Sequence, residues 1–238
     1  MKVVILAGGL GTRLQPYTFF IPKPMLPLGN KPILEHIIDW IKCVDKVDHV
    51  ILCTSYLHRT IENYFEDGSS FDIKIEYVKS ERPLGTAGQL KTAEKLLDNT
   101  FVCLNSDHTY PFSLDNIINE HIKSKALVSM AIMQYKTDLK YGFIEVNEED
   151  NMIISWTEKP EISGLINIGC YIIEPEFLKL IPESSTFGMD DAVRRALQQN
   201  RIVKGFKIES SFLDIGDKKS YLDARKIYIQ KIEDHHGG

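Results

Sequence analysis

The sequence predicts a single-domain α/β fold built on a doubly wound, mixed sheet. Three observations predict it. Strand-like and helix-like segments alternate from the first residue through the first half. Several of the strand-like runs are short and wholly apolar, as strands covered on both faces are. The second half then changes to strand-like segments separated by short polar turns, which reads as antiparallel additions rather than further crossovers.

Residues 2–7 are an apolar run ending in Gly8-Gly9, a buried strand feeding a tight loop. Pro32 opens a helix where proline is tolerated, with Leu34, Ile37, Ile38 and Ile41 as its apolar stripe. A second strand spans 49–54, followed by a helix at 59–65. Residues 73–78 alternate apolar and charged side chains, as a more exposed strand does. Leu90, Ala93, Leu96 and Leu97 form the stripe of the next helix, and 101–104 is again a fully apolar strand, running into Asn105-Ser106-Asp107. Strands follow at 126–134, 142–146, 152–156 and 167–173, then a helix at 190–199 and a last one from Lys218. Residues 235–238 read as a frayed end.

Composition narrows the function. The 238 residues carry a formal charge of −5, against the clustered basic excess of a nucleic-acid binder. Hydrophobic residues at 43% and charged residues at 26% support one large core. No stretch approaches the length of a membrane span. The four cysteines are scattered, with Cys53 and Cys103 inside apolar runs, so the expectation is a soluble, cytoplasmic protein with reduced thiols.

The most informative stretch is Gly8-Gly9-Leu10-Gly11-Thr12-Arg13-Leu14 with Lys23-Pro24 downstream. Glycines at the end of a first strand let backbone N–H groups surround a phosphate, and Arg13 and Lys23 add two cations for the same polyanion. A dinucleotide fingerprint is excluded because Leu14 stands where its third glycine belongs and Cys53-Thr54-Ser55 replaces the acidic residue after the second strand. A Walker loop is excluded because no G-x-x-x-x-G-K-[ST] run exists. A glycine-rich turn with no ligand is the bland alternative, and the two cations weigh against it.

The string GGLGTRLQPYT…IPKPMLP resembles the signature of the sugar-1-phosphate nucleotidyltransferases. The likeness continues through Asn30-Lys31-Pro32-Ile33-Leu34, Pro83-Leu84-Gly85-Thr86-Ala87-Gly88, Leu104-Asn105-Ser106-Asp107, Lys140-Tyr141-Gly142, Glu158-Lys159-Pro160, Asn167-Ile168-Gly169 and Asp214-Ile215-Gly216, covering residues 1 to about 225. The wording is closest to the mannose-1-phosphate guanylyltransferase branch. The resemblance implies a Rossmann-like, glycosyltransferase-A-like domain over 1–238 with an antiparallel sugar-binding insertion. Residues 1–110 would mainly bind nucleotide and 111–225 mainly sugar phosphate, with 226–238 the end of the last helix and its tail. The implied reaction joins a nucleoside triphosphate to a sugar-1-phosphate with Mg²⁺, most simply GTP with mannose-1-phosphate. A homo-oligomer is compatible with it.

The same resemblance implies the roles. Arg13, Lys23 and Asp107 are the catalytic set, and Asp107 and Asp214 the metal ligands, hard carboxylates that suit Mg²⁺. Leu6, Ala7, Gly8, Gly9, Gly11, Thr12 and Arg13 line the nucleotide, with Ser80 and Gly85 on the base. Gly142, Glu158, Lys159 and Asn167 face the sugar phosphate. Read without the resemblance, Asp107 is as readily a turn cap, and Lys159 a solvated surface lysine.

Three departures qualify the match. Gln15 stands where the family often has a second arginine. His108 stands where an apolar residue is usual and reads as a polar residue lining the cleft. The guanylyltransferases of that branch extend into a hexapeptide-repeat β-helix that has no counterpart in this sequence. Other readings therefore remain: UTP or dTTP with glucose-1-phosphate, GTP with a heptose phosphate, or a silent paralogue that binds nucleotide sugar as a regulator.

Overall fold

The computed structural model describes residues 1–209 and 213–236. Its strands are β1 (Lys2–Leu6), β2 (Pro27–Leu28), β3 (Lys31–Pro32), β4 (His49–Thr54), β5 (Lys74–Lys79), β6 (Phe101–Asn105) and β7 (His108–Thr109). They continue with β8 (Val128–Asp138), β9 (Phe143–Val146), β10 (Ile153–Thr157), β11 (Glu161–Ile173), β12 (Val203–Ile208) and β13 (Leu213–Asp214). The helices are α1 (Ile33–Lys42), α2 (His58–Phe65), α3 (Gly85–Lys91), α4 (Leu114–Ser124), α5 (Met189–Gln198) and α6 (Lys218–His236).

Seven strands form the main sheet in the order β12-β8-β11-β6-β1-β4-β5. β1 pairs in parallel with β4 on one side and β6 on the other, and β5 pairs in parallel with β4. β11 runs antiparallel to both β6 and β8, and β12 is parallel to β8. β11 is thus the one reversed strand of this sheet. The α/β class and the mixed sheet agree with the sequence reading.

Both faces of the sheet are covered, which explains the unbroken apolar runs. Along β1, Val3 and Ile5 pack with α1, α2, α4 and α6 on one side. Val4 and Leu6 pack with α3 and α5 on the other. That is the period-two alternation of a strand buried twice. α1 buries Ile33, Leu34, Ile37, Ile38 and Ile41 on one stripe, and Pro32 immediately precedes its first turn.

Four details differ from the sequence reading. β9 and β10 pair only with each other, outside the main sheet, so the antiparallel additions to that sheet reduce to β11. The helix expected through Leu97 ends at Lys91, and residues 94–96 form a separate 3₁₀ turn. α4 and β12 have no counterpart in the sequence reading. β12 carries Lys204, Lys207 and Gly205, the charges and missing side chain by which an edge strand resists further pairing and escapes a strand pattern. α6 extends through His236, and residues 237–238 of the expected tail lie outside the described residues.

Candidate active site

Chain direction places the site. From β1 the chain steps outward to β4 and β5, then returns through α3 to β6 on the opposite side of β1. The loops after β1 and β6 therefore diverge, and the crevice between them at the carboxyl ends of the strands is where such folds bind ligands. A cleft of about 360 Å³ opens there, within the usual range of small-molecule sites. Ser106 Oγ donates to Leu6 O at 2.7 Å and ties the ends of the two strands together beneath it.

Gly8, Gly9, Gly11, Thr12 and Arg13 line one wall. Gly11 has φ +62°, and a Cβ there would fall 2.9 Å from Thr18 Cγ2, so both conformation and space require glycine. Thr18 Oγ1 donates to Gly11 O at 2.8 Å and fixes the turn. Gly9 faces open space, leaving its backbone accessible to a ligand. Opposite lies the segment 83–86, held to residues 184–189: Ala87 N and Gly88 N donate to Phe187 O, and Met189 N donates to Thr86 Oγ1 at 2.9 Å. Gly85, at φ +70°, approaches Phe187 so closely that a Cβ would lie 2.6 Å from its carbonyl oxygen.

At the third side Lys23 Nζ donates to Asp107 Oδ2 at 2.5 Å. Two-residue β7 pairs antiparallel with β13, matching His108 with Asp214, and Ile215 N donates to Asp107 O at 2.9 Å. This small ladder is what brings together carboxylates far apart in sequence. His108 stands between them, Nδ1 3.2 Å from Asp107 Oδ1 and Nε2 3.4 Å from Asp214 Oδ1. Burial pushes the Asp107 carboxyl up, but the neighbouring His108 and Lys23 charges outweigh it and hold it below the usual carboxylate range.

Ligand atoms of Asp107, His108 and Asp214 all lie within 4.8 Å of one another. Asp107 Oδ1 is buried and accepts no hydrogen bond among the described residues. Such an oxygen, beside the His108 imidazole and a second carboxylate, fits a divalent cation. His108, read from sequence as a cleft-lining polar residue, belongs to this cluster.

The remaining expected residues divide. Leu6, Lys23 and Asp107 line the cleft with the glycine loop and Gly85. Ala7 is buried beneath it, donating to Cys53 O, and Ser80 turns its hydroxyl to Thr54 O at 3.4 Å; neither is among the lining residues. Gly142, just before β9, Glu158 and Lys159, just after β10, and Asn167, on β11, lie outside that lining. Glu158 Oε2 accepts from Trp156 Nε1 at 3.3 Å, and a Cβ on Gly142 would crowd both residues. Lys159 has φ +45°, is exposed, and makes no ion pair among the described residues. Asn167 sits at the irregularity of β11, its Oδ1 accepting from Gly169 N at 3.0 Å. The sequence reading missed Gln89, whose side chain lines the cleft against Gly8. Its signal was an amide within an otherwise small or apolar helical stripe, Ala87-Gly88-Gln89-Leu90.

The family model for nucleotidyl transferases matches residues 2–231. The chain belongs to that family. Among relatives of this nucleotidyl transferase, the mannose-1-phosphate guanylyltransferase of Mycobacterium tuberculosis is 34% identical over 93% of this chain and 63% of its own length. The catalytic subunit beta of the Xenopus tropicalis enzyme is 32% identical over 99% of this chain and 67% of its own. The chain thus spans about two thirds of the curated relatives it matches. The structure of HddC from Yersinia pseudotuberculosis complexed with GMP-PN superimposes with a TM-score of 0.74 at 26% identity, covering 95% of this chain and 99% of that one.

Proposed function

We propose that the chain is a sugar-1-phosphate nucleotidyltransferase making a nucleoside diphosphate sugar and pyrophosphate, with GTP and mannose-1-phosphate as substrates. The observation that carries the proposal is the convergence on one cleft of a glycine loop, two cations and Asp107, which joins the cleft to the Asp107–His108–Asp214 cluster. The 1–110 half binds the nucleotide and 111–225 the sugar phosphate. The preference for guanine and mannose rests on the relatives' named activities.

The nucleophile needs no strong base, since the second pKa of a phosphate monoester is about 6. A sugar-phosphate oxygen forms a bond to the α-phosphorus while the bond from that phosphorus to the bridging oxygen of the β-phosphate breaks, releasing pyrophosphate with inversion. The backbone N–H groups of Gly9, Gly11 and Thr12 orient the triphosphate. Arg13 and Lys23 neutralise the departing charge. Lys23 must exchange its Asp107 contact for phosphate oxygens as substrate enters. Asp107 and Asp214, with His108 between them, would hold a Mg²⁺ ion, which would supply charge neutralisation at the phosphates. Lys159, Glu158, Asn167 and the Gly142 backbone receive the sugar phosphate, and Gly85 supports the base, with Ser80 set behind the cleft lining. The four cysteines are all free, three of them buried, which suits a reducing, cytoplasmic setting. Among the described residues no helix is long and apolar enough to cross a membrane.

A pyrophosphate-release assay over ATP, GTP, CTP, UTP and dTTP with a panel of sugar-1-phosphates tests the reading. Release with GTP and mannose-1-phosphate is expected. Release only with UTP or dTTP and glucose-1-phosphate, or with GTP and a heptose phosphate, keeps the chemistry and replaces the substrates. Nucleotide-sugar binding with no release would identify a regulatory paralogue.

A further inference from the structure

Gln89 lies on α3 with only 8% of its surface exposed, and that remainder faces the cleft. It rests against the bare Cα of Gly8, where a Cβ would overlap the amide nitrogen. Its neighbours Ala87, Gly88 and Leu90 are buried, so the helix holds the side chain in place. Among the described residues the carboxamide makes no hydrogen bond, while the backbone oxygen of Gln89 takes Thr92 Oγ1 at 2.7 Å. A carboxamide carries two donors and an acceptor. Neither polar atom of this one is among the buried unpartnered atoms, so the group opens into the cleft with its hydrogen bonds available to a ligand.

The cleft lining holds both charged and uncharged groups. Arg13, Lys23 and Asp107 carry its charge, whereas Leu84, Gly85 and Gln89 form an uncharged stretch, with Gln89 set against Gly8. An uncharged stretch bearing a carboxamide suits a flat, neutral ring presenting adjacent donor and acceptor groups rather than a phosphate. Ser80, the expected base contact, spends its hydroxyl on Thr54 O and does not line the cleft. We infer that the Gln89 carboxamide reads the hydrogen-bonding edge of the nucleobase and is the side chain that sets nucleotide choice. The inference rests on the nucleotidyl-transfer reading above.

The test compares wild type, Gln89→Leu and Gln89→Glu by kcat/KM for the five nucleoside triphosphates, and by inhibition with inorganic triphosphate. Leucine keeps the volume and removes the hydrogen bonds; glutamate keeps the shape and removes both donors. Gln89→Leu is expected to lower kcat/KM for the preferred nucleotide by about 10- to 100-fold and for the poorest by less than about threefold, so that selectivity collapses. Gln89→Glu is expected to change the ranking of the bases. Inhibition by inorganic triphosphate, which has no base, should stay within about twofold. An equal loss with all five nucleotides, or a parallel weakening of triphosphate inhibition, would mean that Gln89 merely supports the loop and would overturn the inference. If wild type transfers none of the five, the proposed reaction fails, and the same comparison made in dissociation constants still decides Gln89.

Discussion

The glycine-loop side of the cleft and the β9–β10 side are built in opposite ways. The first rises from β1, whose Val3, Val4 and Ile5 are fully buried, and hydrogen bonds from Thr18, Ser106 and Met189 pin its loops. The second is a two-stranded ribbon outside the sheet, with Ile153 and Trp156 each 62% exposed. An isolated hairpin of this kind has little stability of its own. A polyanion needs its binding atoms preset before it arrives, because donors that must be gathered lose affinity to ordering entropy. The contrast teaches that this chain uses its core to position the glycine loop and leaves the residues proposed for the sugar phosphate to surface elements.

The comparison breaks first at Asp107. Asp107→Asn removes a charge from the paired carboxylates with little change in shape, and turnover should fall by about 10²- to 10³-fold or more with the thermal midpoint nearly unchanged. Near-full activity in steady-state kinetics would end its assignment as metal ligand. A smaller effect is expected across the cleft. Lys159→Ala should raise the sugar-phosphate KM by about tenfold and the nucleotide KM by less than about twofold, and equal shifts in both would remove Lys159 from the sugar side. The difference in packing is sharpened by stability. Urea denaturation should show Ile5→Ala costing about 2–5 kcal/mol, from lost burial and the cavity left behind. Ile153→Ala, on the exposed ribbon, should stay within about 0.5 kcal/mol. Comparable losses would mean that the ribbon is covered in solution.

Much of the glycine-loop side was legible because it is local. Gly8 through Arg13 are contiguous, and the need of Gly11 for positive φ shows in the residue type itself. The run Phe101–Asn105 ending at Asp107 likewise announces a buried strand delivering an acid. Ser80 shows the limit: alignment with a base contact does not reveal that its hydroxyl is occupied by Thr54. α4 escaped because buried His121, bonded to Ser129 and Glu174, completes the stripe of Leu114, Ile117 and Ile118, so an apolar pattern understates the helix.

By itself the sequence determined the α/β class, the glycine-rich loop after β1 and the residue types of the site, since these follow from short-range pattern and from backbone freedom. Only the tertiary structure decided that β11 runs reversed, that β9 and β10 leave the sheet, and that β7 and β13 join Asp107, His108 and Asp214 into one cluster. It also decided that Gln89 faces the cleft beside Gly8. Each of these depends on strand order and on contacts between distant segments. Such contacts are settled by which faces must be buried together, a condition that no single stretch of residues contains.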